Sequence, residues 1–170
     1  ISVSVSFIFL FVLFGATLDA AGGGKYFLNL AFALVGKMRG GPAKAAILAS
    51  GLTGLISGSS VANTVTTGTF TIPIMKRTGL TATKAGAIEV AASVNGQIMP
   101  PIMGAAAFLM AELLGISYYK VITHAFLPAV ISYIALFYIS HLESLKLNIK
   151  GLDEKDIPPL GKTFLGGIHF

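Results

Sequence analysis

The chain has 170 residues, of which 54% are apolar and only 11% are charged, and its formal net charge is +5. Soluble domains carry roughly 25% charged residues, so the composition excludes an ordinary soluble domain and predicts an all-α protein of the lipid bilayer. The sequence has no cysteine, which excludes disulfides, thiolate metal sites and cysteine nucleophiles. In a membrane protein, Lys and Arg residues collect on cytoplasmic loops. We therefore interpret the positive charge as a sign of topology and not of a nucleic-acid partner.

The first apolar run predicts a transmembrane helix over residues 1–18. It lacks the basic start and small-residue cleavage site of a signal peptide, and we interpret the chain as an internal piece of a longer membrane protein. Residues 26–38 are too few to cross a bilayer. They predict an interfacial helix that lies along the cytoplasmic face.

A weakly polar stretch, residues 42–75, follows between two clusters of basic residues: Lys37, Arg39, Lys44, Lys76, Arg77 and Lys84. As one helix it would measure about 50 Å, against a hydrocarbon core of about 30 Å. Its midpoint, residues 57–60, reads Ser-Gly-Ser-Ser, which is typical of a turn and a helix N-cap. We therefore predict a re-entrant helical hairpin with arms over 42–57 and 60–75. The alternative is two ordinary tilted helices joined by a loop on the far side.

The next apolar stretch, residues 81–116, predicts a transmembrane helix that is broken at Pro100 and Pro101. Proline has no N–H, so the carbonyls of Gly96 and Gln97 lose their helical donors. The alternative is a simple proline kink.

The rest of the chain is interpreted as one further span followed by polar sequence. Residues 121–140 predict an uninterrupted transmembrane helix, and residues 141–170 predict a cytoplasmic linker that leads into the start of another membrane segment.

Two elements broken near mid-membrane at small polar residues are how many secondary transporters build a binding site. Freed carbonyls and side-chain oxygens suit Na⁺, whereas half-helix N-termini suit a carboxylate. Oxygen ligands are offered by Ser59, Ser60, Asn63, Asn95, Gly96 and Gln97. We assign substrate binding to Ser60, Asn63, Asn95 and Gln97.

The other small and polar residues of the membrane stretches are interpreted as packing residues, with Glu89 as the exception. Small residues permit close helix packing, and we attribute this role to Thr66, Thr67, Gly68, Thr69 and Gly86. Glu89 is an ionisable group inside a predicted span, which makes it a functional candidate. A role in ion coupling and mere solvation at a cavity both remain open for it.

The segments ISGSSVANTVTTGTFTIPIMKRTGL and AIEVAASVNGQIMPPIMGAAAF together resemble the large membrane subunit of tripartite ATP-independent periplasmic (TRAP) transporters, in particular the branch with fused subunits. The resemblance implies half of an elevator-type, Na⁺-coupled permease for organic acids in a prokaryotic inner membrane. It implies three partners: a periplasmic solute-binding protein, a small membrane subunit and the other half of the large subunit. By motif it implies a Na⁺ site bordered by Gly58, Ser59, Ser60, Asn63 and Gly96. Many members follow the second proline with serine, whereas this chain has Ile102.

Two other functions are compatible with parts of the sequence. Gly58-Ser59-Ser60-Val61 formally matches a serine nucleophile pattern, and His124 lies on a later helix, as an intramembrane serine protease would need. The predicted topology separates Ser60 from His124. A passive channel is the other alternative, and it needs more polar lining than these helices offer.

Overall fold

The computed structural model describes residues 9–167. Within this range the regular secondary structure is entirely helical, as predicted. The helices are α1 (Phe9–Ala20), α2 (Gly23–Val35), α3 (Gly41–Ser57), α4 (Ser60–Arg77), α5 (Ala82–Gly96), α6 (Ala105–Leu114), α7 (Tyr118–Lys146) and α8 (Leu160–Gly166), with a 3₁₀ turn at Glu154–Asp156. Residues 1–8, which belong to the first predicted span, lie outside the described residues.

Helices α3 and α4 form an antiparallel hairpin. Its arms are separated by Gly58, whose left-handed φ of 58° ends α3, and by Ser59, whose hydroxyl accepts a hydrogen bond from Ala62 N at 3.3 Å and caps α4. Side chains meet across the arms, with the hydroxyls of Ser50 and Thr67 3.2 Å apart. The re-entrant course of this hairpin depends on the position of the bilayer and stays a prediction.

The stretch predicted as a broken span consists of two helices, α5 and α6, that are separated by residues 97–104. Both helices contact α7, but only α5 also packs on α3 and α4. The ring of Phe108 on α6 stacks on Tyr118 at the start of α7, with ring centroids 4.4 Å apart. The helical segments before and after the prolines therefore pack against different sets of helices. This indicates an interruption of the helix and not a simple kink.

Helix α7 extends beyond its predicted end at residue 140, and residues 141–146 are helical although they were expected to begin a linker. Polar contacts stabilise this last part, since Glu143 pairs with Lys84 and Ser144 is buried against Gly40. Gly40 has a φ of 68°, and a Cβ there would lie 2.1 Å from the Ser144 hydroxyl. Within residues 9–167, α7 is the one helix long and apolar enough to cross a membrane on its own.

Helix α2 covers most of the predicted interfacial segment but starts at Gly23 and ends at Val35. One of its faces is buried against α3, in a core of Leu28, Ala31, Phe32, Val35, Ala45 and Ala49. The polar segment after α7 returns to α2, where Leu152 N donates to Gly36 O at 2.9 Å and α8 packs alongside. The position of α2 along a membrane surface stays a prediction.

Candidate functional site

The two helix breaks meet at their main chains. A Cβ on Gly58, at the hairpin tip, would lie 2.3 Å from the carbonyl oxygen of Met103 in the second break. A Cβ on Gly104 would lie 3.1 Å from the carbonyl oxygen of Gly58. Because real Cβ atoms do not approach other atoms as closely as 2.3 Å, only glycine fits at the tip. The geometry brings interrupted backbone from both elements to one place.

The carbonyls freed by the prolines find other donors in the second break. Gly96 O accepts from Met99 N at 3.2 Å, and Gln97 O accepts from Gly104 N at 2.7 Å. As predicted, neither carbonyl has its helical donor, because Pro100 and Pro101 carry no N–H. The loop turns back and supplies N–H groups from non-helical positions instead. Each carbonyl oxygen has two lone pairs, so one hydrogen bond leaves capacity for a further ligand.

Tyr118 holds the far side of the second break. Its hydroxyl donates to Pro101 O at 3.1 Å and also contacts Ile102 O, while its ring stacks on Phe108. Met103, the next residue, has a φ of 59°, which is unusual for a side chain other than glycine. The main chain of this loop is thus fixed by tertiary contacts in a conformation that aims the Met103 carbonyl at Gly58.

Asn63 lies one turn into α4 and is completely buried. Its amide nitrogen donates to Ser50 O at 2.8 Å, and a Cβ on Gly96 would lie 3.0 Å from that nitrogen. Its amide oxygen has no hydrogen-bond partner among the described residues. An unsatisfied buried acceptor costs about 1–3 kcal/mol. This oxygen is therefore an available hard ligand between the hairpin and α5.

Ser59 belongs to the other side of the hairpin tip. It lines a cavity of about 340 Å³ between α1, α2, α3 and α4, together with Thr53, Ser57 and Thr66. The hydroxyls of Thr53 and Ser57 are buried and have no partner among the residues that the structure describes. Oxygen atoms with unused capacity thus flank the tip on this side too.

The remaining predicted site residues lie around the same junction. Ser60 is half-buried at the first position of α4, and its carbonyl accepts from the Thr64 hydroxyl at 2.8 Å. The Gln97 side-chain nitrogen would be 3.6 Å from a Cβ on Gly104, which places it beside the contact with Gly58. Asn95 is half-buried, and no hydrogen bond of the described residues joins its side chain to the hairpin.

A second polar cluster is centred on Glu89, which the sequence marked as a functional candidate without indicating its partners. Glu89 is completely buried, and its carboxylate receives hydrogen bonds from Ser50 at 3.0 Å, Thr71 at 2.5 Å and Thr67. Thr67 is buried where α3, α4 and α5 meet, as its packing interpretation expects, and its hydroxyl adds a contact with the carboxylate that this interpretation lacked. The spacing of Thr67 and Thr71, one turn apart on α4, was the available signal for a shared polar partner.

Two glycines predicted to serve helix packing differ in their surroundings. Gly68 does pack closely, since a Cβ there would lie 3.1 Å from Glu89 Cγ. A Cβ on Gly86 would meet nothing within 4 Å. Of these two glycines, only Gly68 therefore lies where α4 and α5 approach each other closely.

His124 is turned toward its own helix. Its ring nitrogen Nδ1 lies 2.7 Å from Lys120 O and 3.4 Å from the Thr123 hydroxyl, and the residue is exposed. Ser60 is not among its hydrogen-bond partners, so the described residues contain no serine–histidine dyad at this position.

Comparison with known proteins identifies relatives of this chain. Residues 1–169 match the model of the family described as tripartite ATP-independent periplasmic transporter, DctM component. The chain is 30% identical over 139 residues to a putative TRAP transporter large permease protein of Haemophilus influenzae, covering 82% of this chain and 32% of that protein.

Two further relatives carry a substrate in their names. The chain is 25% identical over 158 residues to the 2,3-diketo-L-gulonate TRAP transporter large permease protein YiaN of Escherichia coli, covering 93% of this chain and 37% of that protein. It is 36% identical over 91 residues to the C4-dicarboxylate TRAP transporter large permease protein DctM of Pseudomonas aeruginosa, covering 54% and 21%. The chain spans about a third of the length of the first curated relatives it matches.

Proposed function

The chain belongs to the DctM family of tripartite ATP-independent periplasmic transporters, and we propose that it forms one Na⁺- and substrate-binding half of an elevator-type organic acid permease. Members of this family are membrane transporters and not enzymes, which removes the serine protease alternative. The observation that carries the proposal is the direct main-chain contact between Gly58 in the hairpin and Met103–Gly104 in the broken helix.

The proposed Na⁺ site lies between the hairpin tip and α5. Its proposed ligands are the amide oxygen of Asn63, which has no partner among the described residues, the hydroxyl of Ser60 and the carbonyl of Gly96. Ser59 borders the tip from the cavity on its other side. Carbonyl, amide and hydroxyl oxygens are the hard ligands that such a cation prefers. Gly58 supports the site by letting the two backbones touch. Na⁺ is the coupling ion and therefore cargo of the transporter.

The proposed substrate is an organic acid that contacts Ser60, Asn63, Asn95 and Gln97. Helix α4 starts at Ser60 and presents free backbone N–H groups there, which together with the helix dipole favour a carboxylate. The substrates named for the relatives in Escherichia coli and Pseudomonas aeruginosa are both carboxylates. Amide side chains at Asn95 and Gln97 supply neutral donors for further oxygens of the same molecule.

Transport belongs to the complete permease, because this chain spans about a third of the relatives' length. We propose that it functions in the inner membrane with the rest of the large subunit, a small membrane subunit and a periplasmic solute-binding protein. The binding protein delivers the substrate, and the two helix breaks receive it together with Na⁺.

The test uses the full-length permease, reconstituted in liposomes with its small subunit and solute-binding protein. Uptake of the substrate is measured against Na⁺ concentration for the parent, Ser60→Ala and Asn63→Ala. We expect the Na⁺ concentration for half-maximal uptake to rise about tenfold in each variant, since each loses one oxygen ligand. Thr69→Ala is the matched control, because this threonine is exposed on the same helix.

Two results would contradict the proposal. An unchanged Na⁺ requirement in both Ser60→Ala and Asn63→Ala would remove the hairpin tip from the ion site. Substrate flux that does not saturate and needs no binding protein would indicate a passive channel instead.

A further inference from the structure

Glu89 is the one fully buried carboxylate of the described residues, and its surroundings are unusual for a membrane helix. Its oxygens meet three hydroxyls, from Ser50 on α3 and from Thr67 and Thr71 on α4. All three of these side chains are themselves buried. Five oxygen atoms from three helices therefore form one buried polar cluster.

No positive side chain accompanies this carboxylate. The ion pairs of the described residues join Lys37 to Glu154, Lys84 to Glu143 and Lys155 to Asp153, so Lys84, the lysine nearest to Glu89 along α5, is already paired with α7. The other titratable group facing it is Tyr133 of α7, whose hydroxyl donates to Ala92 O at 2.8 Å. A buried charge without a partner costs several kcal/mol.

The hydroxyl groups of Thr67 and Thr71 each have two hydrogen-bond acceptors within reach but only one proton to donate. Thr67 Oγ1 lies 2.8 Å from Asn63 O, and Thr71 Oγ1 lies 3.1 Å from Thr67 O, while both hydroxyls also contact the Glu89 carboxylate. A hydroxyl has a single proton to donate. When the hydroxyl donates that proton to the backbone carbonyl of the preceding turn, its lone pairs face the carboxylate. Hydroxyl and carboxylate oxygens that face each other without a shared proton repel, and a cation bound to both removes that repulsion.

We propose that Glu89, Ser50, Thr67 and Thr71 form a second Na⁺ site, separate from the one at the hairpin tip. One carboxylate balances one positive charge, and hydroxyl and carboxylate oxygens suit a hard cation. On binding, the hydroxyl of Thr67 donates its hydrogen bond to Asn63 O and that of Thr71 to Thr67 O, so both hydroxyl oxygens turn their lone pairs to the ion. Only the coupling of this ion to transport rests on the proposed function, since its binding is measurable without transport.

The site is connected to the hairpin tip through buried polar atoms. The carbonyl of Ser50 accepts from Asn63, and the hydroxyl of Ser50 contacts Glu89, so one residue touches both proposed ion sites. Ser93, one turn beyond Glu89 on α5, is buried and its hydroxyl has no partner among the described residues. Occupancy of the Glu89 site thereby fixes the residue that orients Asn63.

The experiment counts bound ions. Equilibrium binding of radioactive Na⁺ is measured on the purified full-length permease, with choline replacing Na⁺ to hold ionic strength constant. We expect Glu89→Gln to bind one Na⁺ fewer per permease than the parent. Thr71→Val, which keeps the shape of the side chain and removes one ligand, weakens that site about tenfold. Exposed residues give the matched controls, Glu112→Gln and Thr69→Val.

The outcomes separate this site from the one at the hairpin tip. A loss of one Na⁺ in Glu89→Gln supports it even when Ser60→Ala and Asn63→Ala leave the Na⁺ requirement of uptake unchanged. An unchanged Na⁺ count in folded Glu89→Gln overturns it, as does a change in proton binding alone. If Glu89→Gln does not fold, unchanged Na⁺ affinity in Thr71→Val overturns it instead.

Discussion

The two helix breaks are held by different means. At the hairpin, two residues suffice, because Gly58 ends α3 in a left-handed conformation and Ser59 caps α4. The arms then pack against each other along their length. At the prolines, the break takes residues 97–104, and the helices on either side have different neighbours apart from α7.

The two breaks are therefore sensitive to substitutions in different places. The hairpin break is encoded locally, so a change of backbone conformation at its tip acts directly on the contact with the second break. The proline break is encoded by tertiary contacts, so it also depends on residues that are distant in sequence. Tyr118 is the example, since it binds the carbonyls of Pro101 and Ile102 from the start of another helix.

The largest effect is expected at the hairpin tip, from Gly58→Ala. A left-handed alanine costs about 1–2 kcal/mol, and here the new Cβ also collides with Met103 O. Gly115→Ala is the matched control, because Gly115 has a φ of 61° and a Cβ there meets nothing within 4 Å. We expect uptake by reconstituted Gly58→Ala to fall at least about tenfold below that of Gly115→Ala. Equal uptake by the two would show that the tip contact is dispensable.

A smaller effect is expected where the first arm crosses α5. A Cβ on Gly54 would lie 2.5 Å from Gly96 Cα, so Gly54→Ala pushes α5 away from the hairpin. We expect a loss of about 1–3 kcal/mol of stability from this overpacking. Gly86→Ala, with open space around its Cβ, is expected to stabilise α5 by about 0.5–1 kcal/mol. Thermal unfolding of the two variants gives the comparison, and shifts of the same sign would contradict the assigned contact.

The smallest effect is expected at the tertiary support of the proline break. Tyr118→Phe keeps the stacking on Phe108 and removes the hydrogen bonds to the loop, which costs about 1 kcal/mol. We expect a several-fold rise in the Na⁺ concentration for half-maximal uptake, because the loop carries the Gly96 side of the proposed site. Tyr119→Phe, exposed next to it, is the control. If both variants behave like the parent, the loop holds its shape without Tyr118.

Local signals in the sequence were sufficient for the existence of both breaks. Glycine followed by serine predicts a C-cap and an N-cap, and two prolines remove two helical donors in succession. These rules act within a few residues, and the helix ends at Ser57, Ser60 and Gly96 follow from them.

The parts that the sequence did not predict depend on contacts between distant elements. The end of α7 at Lys146 is set by contacts with Gly40 and Lys84, which hydropathy does not register. The Glu89 cluster joins three helices. The sequence position of a single carboxylate does not predict which hydroxyls of other helices will contact it. The loop donors to Gly96 and Gln97 likewise come from the way the chain folds back after the prolines.

The most direct test of a shared binding site at the two breaks is a cryo-electron microscopy structure of the full-length permease, determined once in Na⁺ and once in choline. The prediction is density for an ion in Na⁺ alone, bordered by Ser60, the amide oxygen of Asn63 and the carbonyl of Gly96, with Gly58 touching Met103–Gly104. Continuous helix through residues 57–60, or identical maps around Asn63 in the two salts, would contradict it.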